Sequence, residues 1–283
     1  MAWYDKYLSI YGKPFSDVPE EVIETTRRRL AALQSDEPLA SIVVIAYNEE
    51  THLQACLWAL SEIECRYPVE IIGVDNDSTD RTAEIYRRSG IPFYTEHQHS
   101  CGYARRCGLQ HARGRYYFDV DSDTLYPPRY YELMLEQLMQ PGVACVSATW
   151  SYFPDAHHSR LGLRLFELVR DLFLWIQHFK RPELSVRGLV FAYNADYGRR
   201  EPYRVDIIRG EDGSMALALK KYGQIRFVRD RRCRAVTGYG TLGSESLLSS
   251  LWKRVKIQGR GLSRIFYEKD HYDDSPDNLV GRQ

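Results

Sequence analysis

The sequence has no excess of charge of either sign and no long apolar run. Its 283 residues contain 38 Lys and Arg against 38 Asp and Glu. Because proteins that bind nucleic acid without regard to sequence depend on positive charge, nucleic acid is not an expected partner. The most apolar segment, residues 161–179, is interrupted by charged side chains. It therefore falls short of the roughly 18 uncharged apolar residues that a membrane span needs.

The six cysteines lack a metal-binding arrangement, because no two of them form a CxxC pair. A zinc knuckle is therefore not predicted. The first residues contain no apolar signal-peptide core, so we expect reduced thiols and a cytoplasmic protein. If the chain meets a membrane, we expect it to lie on the inner face rather than to cross the bilayer. With 44% hydrophobic and 27% charged residues, the composition is typical of a globular enzyme.

From residue 41 onward, short apolar runs alternate with helical patterns. The runs predict four strands, at residues 41–46, 69–74, 115–118 and 143–146. Short apolar strands indicate a sheet that is covered on both faces. One of the intervening helices would be capped by Ser78 and would end at Gly90. The order of strands and helices gives βαβ units and hence an α/β fold.

The chain divides into three regions. Residues 1–37 predict an N-terminal helical extension, residues 38–240 a single catalytic-sized domain, and residues 241–283 an amphipathic helical tail. In the tail, residues 247–267 combine apolar and basic side chains, which favours either an interfacial helix attracted to anionic lipid or an interface within the protein.

A second helical pattern, at residues 161–179, carries an apolar stripe at helical spacing. Its members are Leu161, Leu165, Leu168, Leu172, Trp175 and Phe179. A stripe as wide as this one favours burial against the protein itself over contact with a membrane.

The clearest chemical signal is the group of three carboxylates Asp119, Asp121 and Asp123, which directly follows a predicted strand. Like charges so close together repel unless a cation joins them. Hard divalent cations such as Mg²⁺ and Mn²⁺ prefer oxygen ligands, and Mg²⁺ completes its shell with water and substrate phosphates. The group therefore predicts a site for a metal-bound diphosphate. The alternative is a solvated acidic turn, or aspartates that cap the following helix.

Two further acidic segments are candidates for ligand contact. Asp75 follows the second predicted strand, where its carboxylate could accept hydrogen bonds from a base or ribose. Glu211 and Asp212 open a predicted helix, where acids are explained by the helix dipole at about 0.3–1 kcal/mol each. The same placement would suit a general base, because a carboxylate held ionised there can accept a hydroxyl proton.

Five segments in order along the chain resemble the family 2 glycosyltransferases, which have a GT-A fold. The segments are residues 44–50, 75–80, 102–106, 119–121 and 211–212, and the resemblance covers roughly residues 40–225. It implies a Rossmann-like, nucleotide-binding mixed sheet flanked by helices. Ile45 departs from the proline that is common there, and Cys107 from the asparagine that commonly follows the arginine. The QxxRW pattern of processive synthases is absent, so processive synthesis is not expected.

The resemblance also implies roles for individual residues. Donor contacts would come from Tyr47, Glu49, Asp75, Arg106 and Asp119. A divalent metal, Mn²⁺ or Mg²⁺, would be held by Asp119 and Asp121. Asp212 would be the catalytic base of an inverting displacement.

The implied substrates are a nucleotide-sugar donor, with UDP as the first expectation, and a glycan or lipid-linked acceptor. A nucleotidyltransferase and a non-catalytic sugar-nucleotide binder remain alternatives. Against the first alternative, the segment after the first strand is acidic, whereas a triphosphate requires a glycine-rich, basic loop.

Overall fold

The computed structural model describes residues 2–154 and 158–238. Within these residues the chain forms a central seven-stranded sheet, a smaller three-stranded sheet and eight α-helices. The strands are β1 (Ala40–Ala46), β2 (Val69–Asp75), β3 (Phe93–Thr95), β4 (Tyr116–Asp121), β5 (Thr124–Leu125), β6 (Val143–Ala148), β7 (Trp150–Tyr152), β8 (Phe191–Asn194), β9 (Gln224–Val228) and β10 (Ala235–Thr237). The helices are α1 (Glu20–Leu33), α2 (Leu53–Leu60), α3 (Thr82–Ser89), α4 (Cys101–His111), α5 (Tyr130–Leu138), α6 (Arg160–His178), α7 (Ala195–Arg200) and α8 (Glu211–Leu219).

The central sheet has the order β3-β2-β1-β4-β8-β6-β9. Strands β3, β2, β1 and β4 run parallel, whereas β8 is antiparallel to both β4 and β6. The sheet is therefore mixed and flanked by helices, as the resemblance implies. Since β1, β2 and β4 all end at the same edge, that edge gathers the polar segments that follow them.

Both faces of the sheet are covered, as the apolar strands predict. Ile42 and Val44 of β1 point into one core cluster, and Val43 and Ile45 point into the other. This alternation is what the two-residue period of a strand produces when helices pack on each side. The four predicted strands are all present. However, β4 extends to Asp121, so that the first two aspartates belong to the strand itself rather than to the loop after it.

The described N-terminal residues pack on the same core as the sheet. Tyr7, Phe15, Ile23 and Leu30 are all buried in the cluster that contains β1. The predicted helix of this region is confirmed as α1, which packs on α2 and α3. The predicted C-terminal helix at residues 247–267 lies outside the described residues.

The predicted helix at residues 161–179 is confirmed as α6, but the expected burial of its apolar stripe is wrong for the described structure. Leu161 is 79% exposed, Leu168 67% and Phe179 67%. The face of α6 that packs on the protein contains Glu167, Arg170 and other polar side chains. In the described part of the chain, no helix is long and apolar enough to cross a membrane.

Candidate active site

The site is built around the last residues of β4, the strand that lies between β1 and β8. Asp119 pairs in register with Val43 of β1 and with Phe191 of β8. This central position leaves Asp119 only 1% exposed, whereas the side chain of Asp121, at the strand end, remains 33% exposed. Of the two carboxylates, Asp119 is therefore buried within the sheet and Asp121 is partly open to solvent at its edge.

Arg105 of α4 joins these aspartates to a second acidic pair. Its Nη1 lies 3.0 Å from Asp119 Oδ1, and its Nη2 lies 2.9 Å from Asp121 Oδ1. Its Nε lies 3.4 Å from Glu211 Oε1 and 3.5 Å from Asp212 Oδ1. A single buried guanidinium thus contacts four carboxylates, and we call this group the acidic cluster.

Two glycines allow the carboxylates of α8 to lie close to Arg105. Gly210 adopts a φ of 94°, a left-handed conformation that directs the chain into α8 with Glu211 and Asp212 in its first turn. Gly188, in the segment between α6 and β8, donates its N–H to Asp212 Oδ2 at 2.6 Å. A Cβ at Gly188 would clash with the Arg105 guanidinium, so only glycine allows this close approach.

The acidic cluster carries more negative than positive charge. Desolvation is the main cause that raises the pKa of Asp119 to about 7 and that of Asp121 to about 6, although Arg105 opposes both shifts. Burial, followed by the neighbouring Asp212, raises the pKa of Glu211 to about 8. The cluster sets four carboxyl groups against one guanidinium, an imbalance that a further cation would offset.

The carboxylate oxygens at this place fit a metal ion that takes only some of its ligands from the protein. Asp119 Oδ2 accepts from the Tyr203 hydroxyl, whereas Oδ1 lies 3.0 Å from Arg105 Nη1 but has no hydrogen-bond partner among the described residues. Asp121 remains partly open, and its Oδ1 faces Arg105. No group of three or more His, Cys, Asp or Glu side chains within residues 2–154 and 158–238 is arranged to hold a metal ion. This arrangement suits a cation that takes one or two carboxylates and completes its shell with substrate phosphates and water.

The loops after β1 and β2 are tied to each other at the same edge. Asn48 donates its N–H to Ser78 Oγ at 2.9 Å and accepts the Thr79 N–H at 2.8 Å. Ser78 thus binds the neighbouring loop rather than capping a helix, and α3 begins only at Thr82. Helix α3 ends as predicted, with Gly90 in the left-handed conformation.

The side chains expected to contact a donor differ in how accessible they are. Tyr47 is 51% exposed, and its ring packs against His99. Glu49 Oε2 lies 2.8 Å from His52 Nδ1. Asp75 is 3% exposed and accepts the Ser78 N–H at 3.2 Å. Tyr47 and Glu49 are thus open to a ligand, whereas Asp75 has little free surface.

Sequence reasoning selected Arg106, but the structure brings the preceding arginine into the acidic cluster. Arg106 lies one helical position further round α4, and its guanidinium stacks 4.7 Å from the Tyr103 ring centroid. A contact between Arg106 and a donor therefore remains a prediction. Gly102 and Gly108, three residues to either side of Arg105, allow α4 to pack closely on neighbouring chain segments.

The N-terminal region, to which sequence reasoning gave no chemistry, also reaches the site. The Tyr11 hydroxyl donates to the Asp123 carbonyl at 2.7 Å, and its ring lies 4.6 Å from that of His52. Burial raises the pKa of Tyr11, with Asp123 and Glu49 adding to the shift. Tyr11 thus stays protonated as a donor at the edge of the site.

Comparison with known proteins decides the family. The model of "Glycosyl transferase family 2" matches residues 41–195, which include β1 to β8 and the strand aspartates. The chain belongs to glycosyl transferase family 2. It is therefore a glycosyltransferase, and the two helix carboxylates lie outside the matched residues.

Two proteins of Bacillus subtilis (strain 168) are similar in sequence. EpsH, whose assignment as a glycosyltransferase is itself provisional, is 34% identical over 105 residues, which are 35% of this chain and 30% of EpsH. EpsJ, named as an uncharacterized glycosyltransferase, is 26% identical over 195 residues, which are 61% of this chain and 56% of EpsJ. The matched part of the chain therefore spans less than two thirds of each relative.

Solved structures show the same GT-A fold. The mannosyltransferase PcManGT from Pyrobaculum calidifontis, in complex with GDP-Man and Mn²⁺, has a TM-score of 0.59 and 17% identity, covering 91% of this chain and 74% of that one. Glucosyl-3-phosphoglycerate synthase from Mycobacterium tuberculosis, with Mn²⁺, UDP-glucose and phosphoglyceric acid, has a TM-score of 0.50 and 20% identity, covering 89% and 86%. The expected fold class is confirmed.

Proposed function

We propose that this glycosyltransferase moves a sugar, with inversion, from a nucleoside-diphosphate donor to a hydroxyl of a glycan or lipid-linked acceptor. The observation that carries the proposal is that Asp121 and Asp212 contact the same guanidinium, at 2.9 Å and 3.5 Å. Asp121, which suits a metal-bound donor diphosphate, and Asp212, which suits the acceptor hydroxyl, therefore lie on either side of the Arg105 guanidinium.

Asp212 is the base in this proposal. The Gly188 N–H fixes one of its oxygens, and Asp212 Oδ1 has no hydrogen-bond partner among the described residues. Burial and the neighbouring Asp212 raise the pKa of the adjacent Glu211, which makes Glu211 the poorer candidate for the base. A carboxylate held in this way can remove the acceptor proton as the hydroxyl oxygen attacks the anomeric carbon.

Asp121 and Asp119 are the proposed ligands of a divalent cation, Mn²⁺ or Mg²⁺, with donor phosphates filling the remaining positions. Such a cation acts as a Lewis acid that offsets charge on the leaving diphosphate. Support comes from the excess negative charge of the acidic cluster and from the Mn²⁺ in both structures compared above. Those structures contain GDP-Man and UDP-glucose, so UDP and GDP are the two bases to test first.

The proposed contacts to the nucleoside are Tyr47, Glu49 and Asp75. These residues lie at the end of β2 or in the loop after β1, where hydrogen bonds join the loops that follow the two strands. Arg106 is the proposed contact to base or phosphate. Contact of residues 247–267 with the inner face of a membrane stays a prediction from sequence alone.

Product analysis tests the proposed reaction. We expect one nucleotide sugar, incubated with Mn²⁺, to release its nucleoside diphosphate slowly by hydrolysis, and proton NMR to show an inverted anomeric configuration. Asp121→Ala should lower this release about tenfold or more, because a metal ligand is lost. Asp17→Ala, at an exposed carboxylate of the N-terminal region, is the matched control and should retain the activity.

Two results would contradict the proposal. Pyrophosphate release from a nucleoside triphosphate and a sugar phosphate would favour the nucleotidyltransferase. Retention of the anomeric configuration would contradict single displacement by an acceptor that Asp212 activates.

A further inference from the structure

The exposed apolar surface of the described chain is concentrated on one helix. Of the ten large hydrophobic side chains that are exposed, eight lie on α6 or directly after it. They are Leu161, Leu165, Leu168, Val169, Leu172, Trp175, Ile176 and Phe179. Isolated exposed apolar residues are ordinary, but a continuous set of this size marks an interaction surface. We call it the α6 face.

The orientation of α6 is fixed by polar bonds on its opposite side. Glu167 accepts the Tyr152 N–H and the Ser151 hydroxyl, each at 2.9 Å. Arg170 donates to the Trp150 carbonyl on β7, and Arg234, which immediately precedes β10, binds Asp171. A rotation that buried the α6 face would break these bonds and expose Leu163, Phe166 and Leu174, which are now buried. The contacts on the opposite side of α6 therefore hold the leucines of the α6 face toward solvent.

Within residues 160–180, the charged side chains that are exposed are all basic. Arg160, Arg164 and Lys180 are exposed at its two ends, and Arg229 lies 5.1 Å from the centre of the Trp175 ring. The two acids of α6, Glu167 and Asp171, are both buried on the other side. The surface thus combines an apolar stripe with a basic border, which is the composition of a helix that lies in the interface of an anionic membrane.

Charge complementarity also decides against two other occupants. Two copies that paired through this face would bring basic ends together, whether the helices ran parallel or antiparallel, and like charges would oppose the contact. Residues 247–267 carry basic side chains and no acid, so the same repulsion applies to that segment of the chain. Anionic lipid headgroups, in contrast, would attract the basic side chains at the ends of the α6 face.

We propose that the α6 face docks the protein on an anionic lipid bilayer. The segment of chain that follows α6 leads to Gly188, whose N–H binds Asp212, so the docked helix and the acidic cluster are joined directly along the chain. This last step rests on the proposed function and favours a lipid-linked acceptor over a soluble glycan. The docking itself does not depend on catalysis.

Vesicle flotation of the full chain tests the docking. We expect the protein to float with vesicles containing phosphatidylglycerol at low salt, and to be released by high salt or by pure phosphatidylcholine vesicles. Leu168→Glu together with Leu172→Glu should lower the bound fraction about tenfold or more, because each leucine loses its buried methylene groups. Both positions are exposed, so the melting temperature should be retained.

Charge reversal supplies matched controls. Arg164→Glu on the border of the α6 face should weaken flotation, whereas Arg28→Glu on α1, an exposed arginine away from this face, should not. Equal flotation of the wild type and the double leucine variant would overturn the proposal. So would a wild type that stays unbound while light scattering shows a dimer that the leucine substitutions dissociate. Donor hydrolysis, measured without vesicles, reports on the proposed function separately.

Discussion

Replacement of Asp212 with Asn is expected to lower kcat by about 10²–10⁴-fold while donor affinity stays close to that of the wild type. Asn keeps the size of the side chain and can still accept the Gly188 N–H, but it cannot take a proton from the acceptor hydroxyl. The substitution therefore removes the proton acceptor but leaves the other contacts of the acidic cluster in place. Steady-state transfer rates, together with donor titration by calorimetry, separate the two effects.

The adjacent acid provides the matched control for this prediction. Glu211 also contacts Arg105, at 3.4 Å, but burial and Asp212 raise its pKa to about 8. A raised pKa favours the protonated form of Glu211, which Glu211→Gln resembles, so this substitution should cost far less activity. If Glu211→Gln abolished turnover and Asp212→Asn did not, the roles of the two acids would be reversed.

The second large effect is expected at Arg105. Arg105→Met, measured by urea unfolding in the presence of a chelator, should lower the free energy of unfolding by about 3–5 kcal/mol, because it leaves buried carboxylates without their counter-charge. Added Mn²⁺ should restore part of this loss, since the cation replaces some of the missing positive charge. The same addition should stabilise the wild type less, because its guanidinium already neutralises part of the cluster.

Arg106→Met is the control, since it removes the same charge from the next residue of α4. Arg106 is partly exposed and stacks on Tyr103, so its loss should change stability by only about 0.5 kcal/mol. Equal destabilisation by the two substitutions would show that Arg105 does not hold the acidic cluster together.

The neighbouring pair also shows where sequence reasoning reaches its limit. The strands and helices could be predicted because their apolar periodicity is local: β1 and β2 were expected within one residue of where they lie. Which of two consecutive arginines points at the carboxylates depends on how α4 docks on the sheet, because successive helical residues differ by about 100° in direction. No local pattern contains that information.

The orientation of α6 and the role of Tyr11 were unpredictable for a similar reason. The apolar stripe of α6 resembles that of any buried amphipathic helix, and only its partners on β7, at Ser151 and Tyr152, turn its polar side inward. Tyr11 reaches Asp123 from 112 positions away in the sequence. Both contacts join distant segments, which become neighbours only through the tertiary fold.

Metal-dependent binding of a nucleoside diphosphate is tested most directly by thermal shift with UDP and GDP, each with and without Mn²⁺, on wild type and Asp121→Ala. A ligand at about 100 times its Kd stabilises the folded state by about 2.7 kcal/mol, which corresponds to several degrees in Tm. We predict that one diphosphate raises the Tm of the wild type only when Mn²⁺ is present, and that Asp121→Ala abolishes this shift. No shift with either diphosphate, or a shift that neither the metal nor Asp121 affects, would contradict the assignment of the acidic cluster as the donor site.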